Sequence, residues 1–372
     1  MKTRCFWVIL VLVIGLLGCN RLADKPADNA AASGLPVVAV CMPEISSPFM
    51  NGIADAIKNK FTGIANVQVS SSDGDNNKMI TLVQNYAAMM VDTMYIMPGD
   101  PKAVIEAMRE ARKSGVKIAV AGVSIGEDGA DAYDCMVNVN QYLVGTYAAY
   151  LGKQWVDTVY PNAAAGSVEA VVLINTTTED ALARTNGLLS VAEPYLKNTQ
   201  GQYVNTQGTV VDDSGKTANP AYSPAVKIVG TTQTSTFQEG LVAMENFLTS
   251  NPNIKLVLSY SSDIASGAAQ VYADRGLTDQ QLTGICVVGS DFSGNELPLI
   301  KEASLGKGVY RGTISFGSAD LAGDMANMVM GLFTGTLKEK VLWDPISLVS
   351  AEKGEEVRIL VQNTGAVAPY SR

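Results

Sequence analysis

VDTMYIMPGDPKAVIEAMREARKSGVKIAV, residues 91–120, decides the fold. Thr93–Met97 and Ile118–Ala121 are apolar runs of strand length. Between them, Lys102–Ser114 carries Val104, Ala107, Met108 and Ala111 at three- and four-residue spacing. That spacing lays one helix face on a sheet and turns Glu106, Arg109 and Arg112 toward solvent. Strands that are apolar throughout and separated by helices imply a parallel sheet covered on both faces.

The same alternation extends outward. Val37–Met42 and Val67–Ser71 precede the stretch as strands and Met136–Val139 follows it, with Phe49–Lys60 and Asn77–Met90 as intervening helices. The pattern then restarts. Val168–Ile174, Val226–Val229, Leu256–Ser259 and Cys286–Gly289 alternate with helical stretches near 179–192, 238–249 and 264–275. At about 150 residues per domain, the 372 residues fit two lobes. The expected class is α/β: two Rossmann-like lobes with parallel sheets, joined by a hinge of several crossovers. The N-terminal lobe takes residues 36–139 with about 316–347, and the C-terminal lobe 140–315 with about 348–372. Asn138–Asn140 and Thr313–Phe316 are candidate crossovers, and the strand-like Val341–Ser350 and Val357–Val361 are placed to fasten the lobes together. Residues 198–223, rich in Asn, Gln, Gly, Ser and Thr, read as a surface excursion with a hairpin through Thr206–Thr217.

Composition excludes several functions. The chain has 47% hydrophobic and 17% charged residues, the balance of a folded protein. It contains no histidine, which removes Ser-His-Asp catalysis and histidine-ligated zinc. With 27 basic against 36 acidic residues it lacks the footprint that neutralises nucleic-acid phosphates, so no nucleic acid is expected. Neither GxxxxGK[ST] nor GxGxxG follows a strand, so nucleotide chemistry has no support.

Lys2 and Arg4 precede an apolar run, Phe6–Leu17, shorter than the roughly 20 residues of a membrane span. It reads as a secretory signal, residues 1–18. Leu16-Leu17-Gly18-Cys19 resembles the bacterial lipobox, which implies cleavage before Cys19 and attachment of lipid to its thiol. The polar stretch after it, 19–35, is the expected flexible tether. The globular part then lies outside the cytoplasmic membrane, held to the lipid surface. Of the remaining cysteines, Cys41 and Cys286 sit in apolar strand-like runs and Cys135 lies just before MVNV; an odd number without CxxC spacing predicts buried free thiols.

Four acidic or basic side chains stand where an α/β protein binds ligands. Asp180 and Arg184, four residues apart on a helix, share one face and can present an acceptor and a donor fork to a cleft, or form a surface ion pair. Asp291 follows the strand ICVVGS, at the carboxyl end where ligands collect, although helix capping fits that place too. Asp263, after VLSYSS, has the same two readings. Phe49, beside Pro48 at the first strand-to-helix turn, is a stacking platform or a core residue.

The chain resembles the periplasmic sugar-binding proteins of bacterial ABC importers, in particular the glucose/galactose- and ribose-binding proteins. SSPFMNGIADAIKNKF, from Ser46, looks like the family's first turn with its stacking aromatic. Residues 91–120 follow the family's strand, Asp-Pro turn, helix and next strand almost without gaps. TEDALARTNG, from Thr178, matches its Asp-Ala-x-Ala-Arg segment, and ICVVGSDFSGNELPLI its Val-x-Gly-x-Asp strand end. The resemblance implies the type I periplasmic binding protein fold, with a ligand site of Ser47, Phe49, Asn140, Asp180, Arg184, Ser261, Asp263, Asp291 and Phe316. Carboxylates and Arg would hold sugar hydroxyls, and aromatic rings would cover the apolar sugar face.

Departures from the family are specific. Ser261 and Ser262 stand where Asn-Asp is frequent, Gly122 and Val123 where an aspartate or asparagine follows the strand, and Phe316 where Asn or Gln is usual. The stretch corresponding to the calcium loop, Pro161–Gly166, has no carboxylate, so no metal is expected. The resemblance implies a non-enzymatic, monomeric binder without cofactor. It would take a small sugar such as glucose or galactose and pass it to an ABC permease and its ATPase. A ligand sensor for a chemoreceptor or sensor kinase, with a non-sugar ligand, is the alternative.

Overall fold

The computed structural model describes residues 34–45, 48–122, 125, 127–197, 201–203, 210–316 and 321–361, with only the backbone of Pro48, Phe49, Glu127 and Glu179. The signal segment, Cys19 and the tether up to residue 33 lie outside the described residues.

Strands β1 (Val37–Met42), β2 (Asn66–Ser71), β3 (Thr93–Ile96), β4 (Lys117–Ala121) and β5 (Cys135–Asn138) form one parallel sheet. A strand from far along the chain, β11 (Val341–Trp343), completes it in the order β11-β5-β4-β3-β1-β2. Successive side chains point to opposite faces. Val38, Val40 and Met42 meet helices α1 (Pro48–Lys60) and α10 (Leu321–Thr334), while Ala39 and Cys41 meet α2 (Asn76–Ala88) and α3 (Pro101–Lys113). Both faces are thus buried, as continuous apolar strands require. Asp100 starts α3 by accepting the Lys102 N–H at 2.9 Å, with Pro101 at the first helical position. The predicted α3 core face is buried, but Arg109 and Arg112 are not simply solvated. Arg109 bonds the Asp131 carboxylate at 2.8 Å and Arg112 bonds Asp134 at 2.6 Å, which straps the helix to the segment before β5.

After β5 comes α4 (Gln141–Val159). The second sheet then builds from β6 (Val168–Ile174), β7 (Val226–Gln233), β8 (Leu256–Ser259), β9 (Cys286–Val288) and β10 (Tyr310–Phe316). Two antiparallel strands, β12 (Ile346–Glu352) and β13 (Glu355–Val361), finish it in the order β13-β12-β10-β9-β8-β6-β7. Helices α5 (Glu179–Leu189), α6 (Phe237–Ser250), α7 (Ser262–Ala273), α8 (Asp279–Thr283) and α9 (Leu297–Ser304) complete the lobe. The two-faced alternation recurs here: Ala170 and Val172 pack toward α4, and Val171 and Leu173 toward α6 and α7. No helix among the described residues is long and apolar enough to cross a membrane.

Two readings of the connections change. Val341–Ser350 is not one strand: Val341–Trp343 pairs with β5 in the first sheet, and Ile346–Ser350 with β10 in the second. Pro345, without an N–H, marks the break, so Asp344-Pro345 is itself a crossover. Thr313–Phe316 is not a crossover but the carboxyl half of β10, and the passage to α10 falls on residues 317–320, outside the described residues. Ile346 and Ser347, at the start of β12, pair with Phe316 and Ser315 of β10.

The excursion is less superficial than its composition suggests. Asn219, Ala221 and Ser223 are buried. The Asn219 amide donates to the carbonyls of Ser190 and Glu193 at 2.8 and 2.9 Å, pinning the returning chain to the segment that follows α5. Part of the expected hairpin, 206–209, lies outside the described residues, and residues 210–217 form no strand; the antiparallel bridges are Tyr195–Ala218 and Lys197–Tyr203. Cys41, Cys135 and Cys286 are free and buried, and burial pushes each thiol up to about 12, so they stay protonated and inert.

Candidate ligand site

In the second sheet, β6, β8, β9 and β10 are neighbours and parallel, so their carboxyl ends form one rim. Each strand end leads to one residue of the group. The turn after β6 leads into α5, whose cap is Thr178, accepting the Ala181 N–H at 3.1 Å. One turn further stands Arg184. Tyr260 follows β8, Asp291 follows β9, and Phe316 ends β10.

Arg184 is 5% exposed, and a buried guanidinium needs a counter-charge and filled donors. Its Nη1 donates to Asp291 Oδ2 at 2.6 Å and to the Tyr260 carbonyl at 3.0 Å. Its Nε and Nη2 both donate to Gln141 Oε1, at 2.9 and 2.6 Å. The rings of Tyr260 and Phe316 lie 4.6 and 5.0 Å from the guanidinium carbon. Such stacking favours Arg, whose planar cation is weakly hydrated.

Gln141 reaches Arg184 because α4 and α5 touch backbone to backbone. A Cβ on Gly145 would lie 2.0 Å from the Arg184 carbonyl oxygen, and one on Gly187 would lie 2.2 Å from that of Tyr142. Only glycine permits that approach. Asp291 has a positive φ of 68°, a region that Asp enters more readily than most residues. This turns its carboxylate back to Arg184, and its Oδ1 takes no part in the pair. Burial pushes the Tyr260 hydroxyl above its usual range, against the pull of Arg184, so it remains a donor at neutral pH.

The sequence-named residues thus fall into groups. Arg184, Asp291 and Phe316 meet. Asp180 is half-buried on the first turn of α5, but Arg184 turns to Asp291 rather than forming the four-residue surface pair. The capping alternative for Asp291 does not hold, since α9 begins only at Leu297. Ser261 caps α7, accepting the Ile264 N–H at 3.4 Å, and Asn140 caps α4 through Leu143 at 3.1 Å. Asp263 is not the cap of α7; it stands exposed in the first turn and bonds no member of the Arg184 group. Ser47 and the Phe49 side chain lie outside the described residues. Gln141 and Tyr260 were not singled out from sequence: a glutamine after a crossover and a tyrosine after an apolar strand carry no local signal of function.

The first sheet's carboxyl ends show a different face. Pro43, Glu44, Ile45, Met50, Asp73 and Gly74 line an open depression of about 600 Å³. Asp73 is held by Lys78 at 2.6 Å, which keeps its carboxyl below the usual range. Among the described residues no cluster of acidic or cysteine side chains could hold a metal ion.

A family model described as a periplasmic binding protein domain matches residues 38–337. The D-apiose import binding protein of Actinobacillus succinogenes is 24% identical over 277 residues, which are 72% of this chain and 71% of that one. An ABC transporter periplasmic solute binding protein from the same species, with bound D-allose, superposes with a TM-score of 0.61 at 18% identity, covering 86% of this chain and 99% of its own. A periplasmic ribose ABC transporter protein of Conexibacter woesei gives 0.63 at 19%, covering 87% and 94%.

Proposed function

We propose, from the premise that this chain belongs to the periplasmic binding protein family, that it captures a small neutral sugar between its lobes for an ABC importer. The observation that carries the reading is the Arg184–Asp291 pair, backed by Gln141 and flanked by Tyr260 and Phe316, at the carboxyl ends of adjacent strands. Such ends are where open α/β sheets bind ligands. The free Asp291 oxygen accepts from a sugar hydroxyl, the charged partner strengthens that bond, and the rings offer apolar faces to C–H groups.

Asp180, Asn140, Ser261 and Asp263 edge the same rim and, with Ser47 and Phe49 from the first lobe, complete the proposed site. Closure of the lobes about their crossovers would exclude water and create the shape a permease and its ATPase recognise. The chain acts as a monomer, performs no bond chemistry and needs no cofactor. Cys19 would carry the lipid that keeps it at the membrane. The relatives named above take or are named for D-apiose, D-allose and ribose, so the ligand class widens beyond glucose or galactose to monosaccharides generally.

Thermal unfolding in the presence of a panel of pentoses, hexoses, deoxyhexoses and cyclitols tests this. A ligand at about a hundred times its Kd adds roughly 2.7 kcal/mol to stability and raises Tm visibly. One or a few sugars should do so. A flat response across the panel would end the sugar reading and favour the sensor alternative with another ligand class.

A further inference from the structure

Among the described residues, the proposed ligand wall of the second lobe is short of polar groups at one place. Four of the five N–H donors of a guanidinium are spent by Arg184 on Gln141, Tyr260 and Asp291, leaving a single N–H for anything else. Beside it, where β10 ends, the half-buried ring of Phe316 offers no hydrogen bond at all. It is packed against the core of the second lobe and against the guanidinium, so it is held in place rather than free to swing aside. The Tyr260 ring also lies against the guanidinium, 4.6 Å from its carbon.

A sugar hydroxyl placed against Phe316 would lose water and gain nothing, whereas a methyl or C–H edge would gain a contact. Resting on the sugar-binding reading of this same site, we infer that Phe316 is a specificity-determining residue. It selects a monosaccharide whose edge toward the end of β10 lacks a hydroxyl: a deoxy sugar, or a pentose without the exocyclic hydroxymethyl group. The remaining hydroxyls are served on the other side, by Asp291 Oδ1, the last Arg184 N–H and the Gln141 amide.

The test is calorimetric titration with matched pairs that differ only at that edge. Suitable pairs are D-fucose with D-galactose, 6-deoxy-D-glucose with D-glucose, L-rhamnose with L-mannose, and D-xylose with D-glucose. For whichever pair binds, the hydroxyl-free member should bind about tenfold to a hundredfold more tightly, the range over which an apolar wall rejects an added hydroxyl. Phe316→Gln, which supplies a donor and an acceptor, should bring the ratio to about one or invert it. Phe316→Leu, apolar without a ring, should preserve the order and so separates the effect from a general loss of fold. A wild-type preference for the hydroxylated member, or an unchanged ratio in Phe316→Gln, overturns the inference while leaving the sugar reading intact. Failure of every sugar to bind removes that reading and the inference with it.

Discussion

Helices α4 and α5 of the second lobe meet through bare backbone at Gly145 and Gly187, and α6 and α7 do so at Gly240 and Gly267. In the first lobe the corresponding layer is joined by side chains: Phe61, just after α1, sets its ring edge-on to Phe333 of α10, with centroids 5.3 Å apart. Gly52, inside α1, has nothing within 4 Å of where a Cβ would be. The difference goes with what each rim carries. Close-packed helices in the second lobe bring Gln141 onto Arg184 and leave the buried ion pair fully braced before any ligand arrives. The rim of the first lobe is an open depression edged by Glu44 and Asp73, with its one described ion pair, Asp73–Lys78, exposed. The second-lobe wall is therefore braced in advance, which under the proposed function would make that lobe the first point of capture.

Gly145→Ala attacks this contrast hardest. Its methyl would lie within 2.0 Å of the Arg184 carbonyl oxygen, so the helices must part, at a cost of about 4 kcal/mol or more in denaturant unfolding. Gly52→Ala in the first lobe should be neutral or stabilise by about 0.5–1 kcal/mol, since alanine is the better helix former and the space is open. Equal costs at the two positions would erase the proposed difference in packing. Asp291→Ala comes next. It strands the Arg184 cation, which is 5% exposed, and should cost about 3 kcal/mol, the lower end for breaking a buried pair because Asp291 is 37% exposed.

A pH-dependent effect lies in the last crossover between the lobes. Asp344 is 8% exposed in the last crossover, and burial, reinforced by Asp324, pushes its carboxyl up to about 7. The unfolded chain releases this proton near pH 4, whereas the folded chain keeps it until about 7. Stability should therefore fall as pH rises through that interval and level off above it. Asp344→Asn should flatten that part of the profile, by up to about 4 kcal/mol across the interval. A variant with an unchanged profile would show that Asp344 is ionised in the folded state throughout.

Much of the architecture was legible because its strands are unbroken apolar runs ended by Pro, Gly, Ser or Asn, as in VVAVCMP and ICVVGS. Helix α4 was not, since Tyr142 to Tyr150 are all buried and no polar face marks a period. Pro345 in VLWDPISLVS is a signal that was present: a proline without an N–H cannot sit inside a ladder, and it divides two strands of different sheets. At the site, a strand end pointed to Asp291, and the family resemblance pointed to Phe316 and Arg184. The partners of Arg184 were beyond reach. Gln141 lies 43 residues before it and Asp291 lies 107 after, and only the glycine crossing and the positive φ of Asp291 bring the three together. Four-residue spacing suggested Asp180 as the partner; a long side chain on a helix can instead reach past its own neighbours.

The bond from the Asp344 N–H to the Asn138 carbonyl, 2.9 Å long, extends the pairing of Trp343 with Asn138 to the point where both chains leave the first sheet. Two passages laced side by side make a ribbon rather than two independent strings. A ribbon bends readily across its width and resists torsion and shear in its plane, as a leaf spring does. Under the proposed closure, such a ribbon would bring the carboxylate and guanidinium to the opposite wall in the same register at each swing.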